Sequence, residues 1–194
     1  MPPKVKITKE EVVHAAVEIV RQEGPQALNA RNVAAALNCS TQPIFSNFAT
    51  MEDLHQATNE AAFGIYLDFL EREAQSGRYP VYKSYGMAYI RFAKEEKELF
   101  KLLFMCDREG EDISPKNDFN TSIEMMMQAN GLSRERAELM HMEMWSCVHG
   151  IGTMMATSFL DLEWELVSQM LTDIYLGVRA RHIAEETKND SNQD

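Results

Sequence analysis

Four hydrogen-bonding side chains, Thr41, Gln42, Ser46 and Asn47, fall on one side of the stretch "TQPIFSNF" at helical spacing. The apolar Ile44, Phe45 and Phe48 take the other side. Gln and Asn can bond an adenine edge with one donor and one acceptor, while Ser and Thr serve phosphates or bases. A solvated face without a role more often carries Lys and Glu. The chemistry implied is recognition of a nucleic acid. From the stretch alone, a plain corner between two core helices reads equally well. Catalytic constellations are thinner. "ELMH", Glu138 to His141, is one Glu-x-x-His, and di-iron bundles need a second copy and two further glutamates. His141 with Cys147, or His149 with Cys106, has no local support as a nucleophilic pair. "HGIGTMMA" lacks a third glycine and a preceding strand. No catalytic residue, metal site or cofactor is therefore expected, and the chain is not expected to be an enzyme.

These side chains must be carried by a sharp corner. "VAAALNCSTQPIFSNF" begins as an amphipathic helix, stops at Asn38-Cys39-Ser40-Thr41 and restarts across Pro43. Two short helices joined by so tight a turn are a helix-turn-helix signature. Asn38 tolerates the left-handed conformation that the turn requires. Ser40 or Thr41 caps the next helix, and Pro43 falls in its first turn, where the missing N–H costs little. Upstream, "TKEE" is a capping box on Thr8 and Glu11, followed by the stripe Val12, Ala16, Ile19, Val20 and a stop at Gly24-Pro25. Asn29 caps the helix carrying Val33, Ala34 and Leu37. Thr50 or Met51 opens a long fourth helix running to Gly77.

The remainder reads as helix throughout. Spacing predicts helices over about 82–96, 97–106, 115–130, 133–158 and 163–186, with no convincing strand and no repeat. The expectation is an all-α protein of about nine helices. A three-helix head, residues 1–50, is joined through the fourth helix to a body, residues 51–187, with a disordered tail over 188–194.

Net charge is −11, which argues against a protein that coats nucleic acid. Residues 1–50 nevertheless carry five basic side chains against four acidic ones, net +1, leaving −12 on the rest. Contact with an anion would be made by the head. No apolar run approaches the length of a membrane span, and "MPPKVKITKEE" lacks the apolar core of a signal peptide. The expected location is the cytoplasm, with no membrane partner. Cys39, Cys106 and Cys147 have no paired spacing and read as reduced thiols.

"ALNARNVAAALNCSTQPIFSNFATMEDLHQA" resembles the DNA-binding segment of the tetracycline-repressor (TetR) family. In that family a Thr-x-Arg-x-Ile-Ala helix precedes a Gly-Val-Ser turn, a helix with Tyr-x-x-Phe, and Lys-x-x-Leu opening helix four. Asn29, Arg31, Val33 and Ala34 match the first helix, and Asn38-Cys39-Ser40 the turn. Phe45 and Phe48 take the aromatic positions, and Glu52 to Leu54 the start of helix four. "MWSCVHGIGTMMA" is similar to the Trp-x-x-x-His-Gly stretch of one subgroup, through Trp145, His149 and Gly150. Three departures stand out. Phe45 lacks the usual tyrosine hydroxyl, Met51 replaces the usual lysine, and the recognition helix has no Arg or Lys. The resemblance implies double-stranded DNA with a palindromic operator as partner. Its candidate contacts are Lys6, Asn29, Ala30, Arg31, Ser40, Thr41, Gln42, Pro43, Phe45, Ser46, Asn47 and Met51, with Lys4 also available for phosphate.

The resemblance also implies a homodimer closed by the last two helices, and a small-molecule effector that releases DNA. The candidate dimer residues are Gly152, Trp164, Val167, Leu171, Ile174 and Val178. The last five make a stripe that Leu166, Met170 and Tyr175 widen, and Gly150 and Gly152 suggest close approach of another backbone. The 13 methionines suit a pocket for varied apolar ligands, or plain core. The candidate effector residues are Phe63, Tyr66, Tyr85, Tyr89, Phe104, Met126, His141, Trp145 and His149. The expected function is a ligand-responsive repressor, with the fourth helix as lever. The alternative is a helical dimer that binds small molecules or partners and has lost DNA binding.

Overall fold

A computed structural model of the chain describes residues 7–107 and 119–191, with side chains to 188. The described residues form nine α-helices and no strand. Helix α1 is Lys9–Glu23, followed by a 3-10 turn at Pro25–Ala27. Then come α2 Ala30–Ala36, α3 Gln42–Asn47, α4 Met51–Gln75, α5 Val81–Glu95, α6 Lys97–Phe104, α7 Asn120–Asn130, α8 Arg134–Ala156 and α9 Trp164–Ser191. The helix predicted over 115–130 starts at Asn120, and 115–118 lie outside the described residues. Helix α9 runs past the predicted end at 186, so 188–191 of the expected tail continue it, while 192–194 and Lys4 and Lys6 lie outside.

The chain packs as two compact units, 1–69 with 92–107, and 70–91 with 108–194. This cut differs from a functional division at residue 50. Helices α4 and α5 each contribute to both units. In the first unit the stripe Val12, Ala16, Ile19 and Val20 is buried, with Val33, Ala34, Ile44 and Phe48. Thr8 and Glu11 form the predicted capping box. Phe92 is ringed by Tyr66 at 5.4 Å, Phe69 at 5.4 Å and Phe104 at 6.3 Å. Arg21 fastens α1 to the α5–α6 junction, donating to Glu96 Oε2 at 2.8 Å.

In the second unit α7 and α9 both pack on α8. Ile123, Met126, Leu132, Ala137, Met140 and Met144 form its core, covered by Ile174, Tyr175, Val178 and Ile183 of α9. The methionines here fill the space between helices. Helix α5 comes close enough that a Cβ on Gly86 would lie 3.2 Å from Val148 Cγ2. Ion pairs Arg136–Glu185 and Arg181–Glu143 tie α8 to α9, and buried His182 bonds Glu143 Oε2 at 2.9 Å. Those bonds, from His182 and Arg181, hold the Glu143 carboxyl below its usual range although burial pushes the other way.

The corner between α2 and α3 is built on Asn38, whose φ is +50°. Its N–H reaches Ala35 O at 3.1 Å, and the N–H of Cys39 reaches Ala34 O at 2.9 Å. This is a Schellman end, which satisfies the last carbonyls of α2 and reverses the chain. Asn38→Gly should leave stability unchanged or slightly raised, because glycine carries no penalty at positive φ. Asn38→Val should lower it by about 1–2 kcal/mol in urea unfolding, since a branched Cβ crowds the following carbonyl there.

Candidate nucleic-acid interface and effector region

The corner turns one edge of α3 outward. Ser40, Gln42 and Ser46 are exposed, and Thr41 stands at the N-cap without a side-chain capping bond, so its hydroxyl is unspent in the cap. Pro43 at the helix start and Met51 at the start of α4 are half-buried. Phe45 corrects one expectation. The periodicity puts it on the buried side, yet it is 49% exposed, while Ile44 and Phe48 are buried. The Ser46 hydroxyl donates back to Gln42 O at 2.9 Å.

Two asparagines are otherwise engaged. The Asn47 amide donates to Pro43 O at 2.9 Å and to Ile7 O at 3.2 Å, which braces α3 against the segment leading into α1. Both its donor hydrogens are committed, so it cannot read adenine in two-point fashion without breaking that brace. Asn29 accepts from the N–H groups of Arg31 at 3.1 Å and Asn32 at 3.0 Å, and donates to Ala27 O at 3.1 Å. It is the cap of α2 rather than a ready phosphate donor. Neighbouring Ala30 is half-buried. Arg31 is exposed, and no ion pair among the described residues holds its guanidinium. Lys9 went unnoticed as a contact in the sequence. Its ammonium lies 5.1 Å from the centre of the Phe48 ring, beside the end of α3, and only the tertiary packing brings it there. Thr50 and Asp53 cap α4 reciprocally, with Thr50 N–H to Asp53 Oδ2 at 2.9 Å. An open groove of about 830 Å³ between α1 and α2 is edged by Glu10, Glu11, Glu18 and Glu23, and these carboxylates turn phosphate away from that side.

The candidate effector residues divide between the units. Phe63, Tyr66 and Phe104 belong to the first, where Tyr66 packs on Phe104 at 5.2 Å and Phe63 is 45% exposed. Burial pushes the Tyr66 phenol up. Tyr85, Tyr89, Met126, His141, Trp145 and His149 belong to the second. Met126 is a member of the α7–α8 core, and Tyr85 is half-buried. The large groove is therefore not where these residues are. The others form an aromatic–histidine ladder between α5 and α8. Tyr82 Oη lies 2.9 Å from His141 Nδ1, and Tyr89 Oη lies 2.8 Å from His149 Nδ1. Trp145 stacks on His149 at 5.1 Å, and Phe119 packs on His141 at 4.8 Å and on Trp145 at 5.8 Å. The sequence offered no sign of Tyr82 or Phe119 as members. His141 Nε2 is buried without a partner among the described residues. Glu138 pairs with Arg134 at 3.0 Å instead of turning inward with His141. No group of three metal-binding side chains is found among the described residues. Burial raises the Cys147 thiol, the opposite of nucleophile activation.

Three of the six expected dimer residues are already covered within the chain. Val167 and Leu171 are buried inside their own chain, as is Gly152. Ile174 and Val178 cover the methionine core, and Trp164 lies under Arg91 at 4.4 Å. The stripe is real, but α8 and its neighbours take it up. The residues that α9 leaves outward include Leu166, Gln169, Asp173, Leu176, Gly177 and Ala180, beside the charged Glu165 and Arg181. Those of α8 include Leu139, Ser146 and Gly150, beside Arg134 and Glu135 near its start. Nothing lies within 4 Å of a Cβ built on Gly150 or Gly177.

Burial lowers His141 from 6.5 to about 4. A folded value below the unfolded one means the unfolded chain takes the proton first. The associated stability is intact above pH 6.5 and is lost as the pH falls from there towards 4. Melting temperature should therefore drop through that window by several degrees more in the wild type than in His141→Phe, followed by circular dichroism.

No family model matches the sequence, and no curated protein matches it. Among solved structures, a TetR variant from Acinetobacter baumannii AYE in complex with minocycline superposes with a TM-score of 0.52. It is 18% identical, and the match covers 94% of this chain and 98% of that one. With nine helices and no strand among the described residues, the chain has an all-α, TetR-like fold.

Proposed function

We propose that the chain is a transcription regulator, a repressor, that reads a palindromic operator as a homodimer and leaves it when a small apolar or amphipathic effector binds. The head, residues 1–50, would meet DNA, and residues 51–187 would bind the effector and the second copy. The observation that carries this reading is the outward edge of α3, with Ser40, Gln42 and Ser46 exposed and Thr41 unspent, held out by the Asn38 turn. Gln42 is the base reader. Arg31, Lys9 and the segment with Lys4 and Lys6 supply positive charge for phosphate, with Met51 and Phe45 as apolar neighbours. Release follows from linkage: an effector that favours one head separation over another shifts the dimer away from DNA by that difference in affinity.

In this reading the second copy would meet the outward face of α8 and α9. Apolar Leu139, Leu166 and Leu176 line it, and Gly150 and Gly177 would let a helix approach closely. A dimer of this kind addresses half-sites about one DNA turn apart. A second reading keeps the dimer and the effector but drops the DNA. It draws on the committed Asn29 and Asn47 amides and on the absence of Lys or Arg from α3.

Selection of bound duplexes from a random pool separates the two. An inverted repeat supports the regulator, and featureless recovery supports the second reading. On a selected operator, Gln42→Ala should relax preference at one base position and cost about 1–3 kcal/mol. Arg31→Ala should weaken all sequences alike and reduce the salt slope by about 1. Few phosphates face basic side chains, so the slope of log K against log salt should be shallower than about −8. Light scattering at micromolar concentration should report a dimer. The double substitution Gly150→Glu with Leu176→Glu should give a helical monomer, and an unchanged dimer would displace the interface from this face.

A further inference from the structure

His141 is 6% exposed, and its Nε2 has no partner among the described residues. Buried polar atoms in native proteins are nearly always bonded, so this one calls for an explanation. Its proton can be assigned by counting. Tyr82 Oη and His141 Nδ1 are 2.9 Å apart, and no other bond to the phenol is found among the described residues. If the phenol donates to Nδ1, the neutral ring carries its hydrogen on Nε2 and one group is left unbonded. If Nδ1 donates to the phenol, two are left, the phenol hydrogen and the Nε2 lone pair. The first arrangement costs less. Burial keeps the ring neutral in either case. Nε2–H is thus a buried donor with no acceptor among the described residues.

A second donor lies beside it. Trp145 follows His141 by four residues on α8, hence one turn along the same face. Its indole N–H makes no bond among the described residues. The ring of Phe119 spans both, 4.8 Å from His141 and 5.8 Å from Trp145. Phe119 occupies the N-cap position of α7 but makes no side-chain capping bond, so moving its ring breaks no hydrogen bond of its own.

We propose that this step of the ladder is the effector's anchoring point, and that it selects neutral aromatic carbonyl compounds, whose ring takes the place of Phe119 and whose oxygen accepts from His141 Nε2–H. The inference rests on the effector reading above and narrows it. Two neutral donors between aromatic faces reward a flat molecule with an acceptor. An ammonium group gains cation–π attraction from the rings but opposes its own hydrogens to both donors and loses its hydration. Pure hydrocarbons would fit the walls but leave the donor unbonded.

Three probes of one skeleton test this on the full chain: 2-acetylnaphthalene, 2-isopropylnaphthalene and 1-(2-naphthyl)ethylammonium. Affinities are read by calorimetry. The ketone should bind roughly tenfold tighter than the hydrocarbon, the size expected of one satisfied buried donor. The ammonium compound should bind weakest. His141→Phe should erase the ketone's advantage while keeping hydrocarbon binding, and His141→Gln, which retains a donor, should restore part of it. Phe119→Ala should tighten the ketone several-fold. Nitrogen-15 shifts of the wild-type ring should report the Nε2–H tautomer, a readout that needs no variant to fold. Equal binding of ketone and hydrocarbon, no binding of any probe, an advantage that survives in His141→Phe, or an Nδ1–H tautomer would each overturn the inference. Failure here with an inverted repeat still recovered leaves the DNA reading standing. Success here with featureless duplex recovery removes the DNA reading and leaves the anchoring point.

Discussion

A single left-handed residue sets the polarity of the head. At Asn38 the chain leaves α2 through two backbone hydrogen bonds, and that geometry decides which edge of α3 meets α1 and which meets solvent. Once Ile44 and Phe48 are buried, helical periodicity leaves Gln42 and Ser46 outside. Phe45 follows the same rule. It sits one residue past Ile44, about 100° around the helix, and cannot share its burial. The weakly basic character of this end then depends on few groups. Arg21 is spent on Glu96, while Arg31 and Lys9 remain near the edge.

The second unit is governed by competition for one apolar stripe. Helix α9 carries enough apolar side chains to be buried on more than one side: Val167 and Leu171 are buried, Leu171 near Gly86 of α5, and Ile174 and Val178 pack on the α7–α8 core. The leftover face mixes Leu166 and Leu176 with Gly177 and Ala180, small enough for close backbone approach. The ion pairs Arg136–Glu185 and Arg181–Glu143 lie along the α8–α9 seam and pin its register. Partly exposed pairs of this kind contribute modestly to stability, so apolar packing sets the arrangement and the charges tune it.

Polar groups within that core are arranged with some economy. Tyr82 and Tyr89 lie seven residues apart on α5, and His141 and His149 eight apart on α8, so the two Tyr–His bonds repeat every two turns. The pairs hold both rings in fixed orientations. They also leave a donor on the far side of His141, where a hydroxyl or carboxylate would ordinarily be found.

Much of the fold was legible in the sequence because its signals are local. Capping boxes, the Asn38 stop, Gly24-Pro25 and the 3.6-residue period each act within a turn or two. Helix bounds consequently lay within a few residues of their predicted places, apart from the end of α9, which runs on to Ser191 past Glu186 and its bond from Ser133 N–H. The site was less legible, and the reasons are physical. Asn47 and Asn29 look like free readers in one dimension, but packing brings carbonyls of Ile7 and Ala27 within their reach. Tyr82 and Phe119 are ordinary aromatics until two helices set them against His141. The sequence by itself determined that the chain is helical, where it bends, and which edge of α3 is polar, because those follow from local backbone preference and periodicity. Only the tertiary structure decided which half of a broad apolar stripe is consumed within the chain and which polar groups are already satisfied, because both depend on neighbours distant along the chain.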